Sequence, residues 1–128
     1  MIALILGVVL GSVVNIGLII ISPYFVDFPD NLDPMNAENW SIKLFIFPFL
    51  AHGIGTLAGA FTASKISKNY HIAIPLTIGF WFLAGGIYMV AIMPAPIWFV
   101  FLDIGGCYLP MAWLGWNLSQ NKIKPNEE

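Results

Sequence analysis

The chain has 128 residues, of which 59% are hydrophobic and only 9% charged, with a mean hydropathy of +0.83 and a formal net charge of -2. That balance excludes a soluble globular domain, whose charged share is about 25%, and no basic cluster offers a footprint for nucleic acid. Cys107 is the single cysteine, which excludes an intrachain disulfide and a cysteine-based zinc site.

Four stretches nearly free of charge, about 2–21, 42–66, 72–92 and 97–118, each reach the ~20 residues that cross a hydrocarbon core about 30 Å thick. The expected fold is an all-α membrane protein, an antiparallel bundle of four transmembrane helices forming a single domain over residues 1–128 in the lipid bilayer. The first stretch lacks a charged leader and is too long for the apolar core of a signal peptide, so it is read as a retained helix. Lysines set orientation. Only Lys43 lies between the first and second stretches, whereas Lys65 and Lys68 precede the third and Lys122 and Lys124 follow the fourth. Both termini are therefore expected to be cytoplasmic.

Helix 1 carries Gly7, Gly11 and Asn15 at four-residue spacing, a stripe of small residues ending in an amide. Ser22-Pro23 ends it, because the residue before proline is driven out of the helical region. The outer loop, residues 23–41, holds Asp27, Asp30, Asp33 and Glu38. Asp33-Pro34 predicts an N-cap and a short interfacial helix from Pro34 to about Trp40. The acids lack the alternate-position pattern and central glycine of a calcium loop, which leaves a solvated loop or, as the alternative, a vestibule that collects cations.

Helix 2 is expected to start at Ser41, which makes Pro48 an interior proline and a kink. Beyond it Ala51, Gly55, Gly59 and Ala63 recur every four residues, with His52 and Thr56 beside that stripe. Helices 1 and 2 should cross closely through Gly7 and Gly11 against Gly55 and Gly59. His71 is read as an interfacial residue of the following turn. Helix 3 places Thr77, Trp81, Ala84, Gly85 and Tyr88 on one broad face, and residues 93–96 make a turn short enough only for an antiparallel hairpin. Helix 4 puts Asp103, Gly106, Cys107 and Pro110 on a shared face, Trp113 and Trp116 mark the cytoplasmic interface, and residues 117–128 form a mobile tail.

Counting inward at ~1.5 Å per residue, Asn15, His52, Tyr88 and Asp103 all fall roughly 8 to 12 Å below the outer surface, one from each helix. Asp103 costs ~3 kcal/mol to bury at a helix centre and needs a partner, and His52 is the titratable group at its depth. Together they can share a proton, orient the imidazole or offer a lone pair to a cation. Asn15, Thr56 and Tyr88 complete the list of ligand- or ion-binding candidates by supplying donors and acceptors. Alternatively, His52 and Asp103 form a clamp that only fixes packing, while Asn15 and Thr56 satisfy the backbone and Tyr88 anchors the interface. No metal and no cofactor are expected: His52 and His71 lie at different depths, Cys107 has no second base beside it, and zinc would lack ligands.

The segments GSVVNIGLI, FPFLAHGIGTLAGA, FLAGGIYMV and YLPMAWLG resemble a group of short bacterial four-helix membrane proteins. That resemblance implies a bacterial inner membrane and no particular activity. Small multidrug exporters and fluoride channels share the length and helix count, but the glutamate of the first and the Thr-Phe-Ser motif of the second are missing. The expected function is transport or permeation of a proton, small cation or small polar substrate through an intramembrane site. The alternative is an accessory or structural subunit, alone as a homo-oligomer or within a larger membrane complex. An enzyme is disfavoured for want of a nucleophile with its base.

Overall fold

In the computed structural model, which describes residues 1–67 and 71–120, every regular element is helical. The α-helices are α1 (Ile2–Ile21), α2 (Ile46–Ser67), α3 (Ala73–Ile92), α4 (Ile97–Gly106) and α5 (Leu109–Gln120). They make four spans long and apolar enough to cross a membrane, with α4 and α5 in line as the fourth, Ile97–Gln120. The bundle is dressed for lipid. Ile5, Val9, Val13, Ile16 and Ile20 of α1 are all exposed, which water would penalise and a hydrocarbon solvent does not.

Helix α2 is the hub, packed on α1, α3 and α5. Its stripe Ala51, Gly55, Gly59 and Ala63 is buried throughout. Backbones meet there directly: a Cβ added at Gly59 would lie 2.6 Å from the Gly7 carbonyl oxygen, and one at Gly11 would lie 2.7 Å from that of Gly55. Lipid tails are as apolar as side chains, so contact at this range, rather than escape from water, holds the pair. Gly115 brings α5 equally close, its missing Cβ 2.6 Å from the Leu57 carbonyl oxygen.

A test follows from two glycines of opposite surroundings. Gly59→Ala should destabilise the protein by about 1–3 kcal/mol, because a backbone oxygen cannot yield as a side chain does. Gly17→Ala, which meets nothing within 4 Å, should show no loss. Unfolding midpoints in detergent micelles compare them.

Three expectations are corrected. Pro48 is not interior: residues Ile42–Phe45 form a 3₁₀ turn and α2 begins at Ile46, so the proline occupies the first turn, where backbone N–H groups have no intrahelical partner to lose. The interfacial helix after Pro34 shrinks to one 3₁₀ turn, Ala37–Asn39, because Asn36 is extended (φ -133°, ψ 100°). Asp33 still caps, its Oδ1 accepting from the Met35 N–H at 2.8 Å. The fourth span is broken rather than kinked, interrupted at Cys107 and Tyr108. The ring of Pro110 clashes with the carbonyl four residues earlier and has no N–H to offer it. The face that Thr77, Trp81, Ala84, Gly85 and Tyr88 share turns outward, and α3 packs inward through Pro75, Ile78, Gly79 and Gly86.

The loop between α1 and α2 folds back over the α3–α4 turn. The Ala37 N–H donates to the Pro94 carbonyl at 2.8 Å, and Ala37, Phe45 and Phe99 form a small core there. The expected mobile tail is partly helical, since α5 continues to Gln120. Residues 68–70 and 121–128, which carry Lys68, Lys122 and Lys124, lie outside the described residues.

Candidate functional site

Asp103 sits on α4 one turn before the break, with 3% of its surface exposed. From α2, His52 Nδ1 lies 2.8 Å from its Oδ1. From the break, the Tyr108 hydroxyl donates to its Oδ2 at 3.0 Å. With its hydrogen on Nδ1 the imidazole donates to Oδ1, which gives each oxygen of an ionised carboxylate one donor. The His52 ring also lies over the Tyr108 ring, centroids 5.8 Å apart and planes 29° apart.

The fold makes room for this group in two places. Gly86 of α3 faces Tyr108 so closely that an added Cβ would overlap the hydroxyl. The break at residues 107–108 turns the tyrosine back toward Asp103, which an unbroken helix would not do, since residues five apart lie on different faces.

Above the triad a cavity of about 560 Å³ runs toward the loop end of the bundle, within the range that encloses a small organic ligand. Asn15, His52 and Asp103 contribute its deep polar groups, and Phe45, Phe47 and Phe99 contribute to its walls. Among the described residues, Lys43 is its one lysine or arginine. Each Asp103 oxygen already has one partner, whereas His52 Nε2 bonds no described residue and is not enclosed. The Asn15 amide likewise has no bond to a described residue and lines the same space.

The candidates thus separate. His52 and Asp103 touch, and Asn15 shares their cavity. Thr56 is fully buried, its hydroxyl donating to the His52 carbonyl at 2.8 Å within its own helix. Tyr88 is 64% exposed and absent from the cavity wall. Tyr108, in the YLPMAWLG segment, is the member that spacing did not single out.

Cys107 is spent on structure. Its Sγ donates to the Phe49 carbonyl at 3.4 Å and it is fully buried. Maleimide labelling of the folded protein should therefore be slow, and addition of denaturant should expose one thiol per chain.

No family model, no curated protein and no solved structure matches the chain. The site has to be read from its own geometry. No group of three or more His, Cys, Asp or Glu side chains among the described residues is arranged to hold a metal.

Proposed function

We propose that this protein is a small membrane-embedded transport or permeation protein whose cavity receives the polar head of a largely apolar molecule at His52. The observation that carries this reading is the cavity itself, about 560 Å³ with apolar walls and a free imidazole nitrogen at its deep end. A clamp that served only packing would have no reason to leave Nε2 bare beneath such a space. Asp103 acts through the ring: it fixes the tautomer and balances the charge that the imidazole gains when protonated.

The reading places the chain in a bacterial cytoplasmic membrane, with the loop at 23–41 outside and both termini inside, on the lysine distribution. Asp30→Cys should be labelled by an impermeant maleimide on whole cells and Asn126→Cys only after lysis; the reverse pattern overturns the orientation.

The binding test is native mass spectrometry of the protein extracted in lipid nanodiscs. Wild type and Tyr88→Phe should retain the same bound small molecule, and His52→Ala should lose it. Equal occupancy in all three, or none in the wild type, removes the reading.

A further inference from the structure

We infer that the head group recognised at His52 is a protonated primary amine on an apolar body, taken up in exchange for a proton on the ring. The inference rests on the binding reading above and specifies its ligand.

With Nδ1–H donated to Asp103, a neutral ring leaves the deep end of the cavity with one uncompensated negative charge and a lone pair on Nε2. Tyr108 donates a hydrogen bond to that carboxylate but no charge. A buried carboxylate without a counter-charge is costly. Two species can relieve it from the cavity side: a proton on Nε2, or a ligand that brings both a positive charge and an N–H donor. A neutral alcohol supplies the donor alone, and a carboxylate ligand would add a second negative charge.

The surroundings agree. Phe45, Phe47 and Phe99 line the route, and aromatic faces attract cations, ammonium groups included. The free amide of Asn15 offers a carbonyl acceptor for a second ammonium hydrogen. The outer loop carries Asp27, Asp30, Asp33 and Glu38, none of which lines the cavity, while Lys43 does. Lys43 is exposed and sits on the 3₁₀ turn that precedes α2, nine residues before His52. Its charge stands at the solvent side, where water and salt screen it more than they screen a buried charge.

Proton and amine compete for one lone pair. The ring proton must leave to the water at the cavity mouth before an ammonium can donate to Nε2, and the ligand's charge then replaces the proton's. Among the described residues, the titratable groups against the ring are Asp103 from α4 and Tyr108 from the break, and Lys43 lines the same cavity. Helix α1 contributes only Asn15, and α3 contributes no titratable group to the cavity. The pH dependence of binding therefore belongs to the His52 and Asp103 pair.

The experiment is calorimetric titration of protein in nanodiscs, with protein-free nanodiscs subtracted, using decylamine, decyltrimethylammonium, decanol and decanoate. Decylamine should bind saturably, at least tenfold tighter than the other three, and tighter at about pH 8 than at about pH 5, the range over which a histidine changes charge. His52→Ala should abolish that binding. If decanol or decanoate binds tighter than decylamine in a His52-dependent way, the amine inference falls and the binding reading stands. The amine inference also falls if decyltrimethylammonium, which has no N–H, matches decylamine, or if affinity drops as pH rises. If no probe shows His52-dependent binding, both fall.

Discussion

His52→Ala should lower the unfolding free energy by about 3–5 kcal/mol, the loss typical when one partner of a buried ion pair is removed. The size of the effect separates two accounts of the pair. An interhelical hydrogen bond in a membrane contributes on average only ~0.6 kcal/mol, so a loss of that order would describe an ordinary packing contact. The larger loss arises because Asp103, with 3% of its surface exposed, would be left buried with only the Tyr108 hydroxyl of these two partners. Adding Asp103→Leu to His52→Ala should recover most of the stability, since the stranded charge goes with it. Asp103→Asn alone should keep the fold, because the amide retains size and hydrogen bonding. Denaturant unfolding in micelles, followed by circular dichroism, measures all three. A double variant no more stable than His52→Ala alone would assign the loss to the gap left by the ring.

Why His52 and Asp103 were legible in the chain while Tyr108 was not is a matter of helical continuity. Both first residues lie on uninterrupted turns counted from the loop end, so a rise of ~1.5 Å per residue sets their depth. Tyr108 lies at the break, where that count stops holding, and its orientation depends on Pro110 and on the space at Gly86. Tyr88 shows the opposite failure. On a helix that is apolar all round, period alone does not say which side is packed, because lipid accepts what a protein core accepts. Size does not separate the sides of α3 either: the packed one holds Ile78 beside Gly79 and Gly86, and the outward one holds Gly85 and Ala84 beside Trp81 and Tyr88. Pro48 was misjudged for a local reason, the 3₁₀ turn at Ile42–Phe45 that delays the helix start.

Gly86→Ala should destabilise the protein by about 1–3 kcal/mol, although the same change within a helix ordinarily gains about 1 kcal/mol. The reversal follows from Tyr108. An alanine Cβ at residue 86 would overlap the hydroxyl and lie 2.6 Å from the Cζ of the ring. The ring has little freedom to withdraw, since it is 2% exposed, lies over His52 and bonds Asp103. Tyr108→Ala removes the obstacle and costs about 3–5 kcal/mol by itself, as truncation of a buried aromatic side chain does. In that background Gly86→Ala should be neutral or stabilising, so the two changes are strongly non-additive. Tyr108→Phe isolates the hydroxyl: it should cost about 1.5–3 kcal/mol, the worth of a hydrogen bond to a charged group, and leave the clash at Gly86 in place, because Cζ remains. Additive losses in the Gly86 and Tyr108 cycle would mean that the tyrosine does not stand against α3. The third corner of the triad would then be wrongly placed.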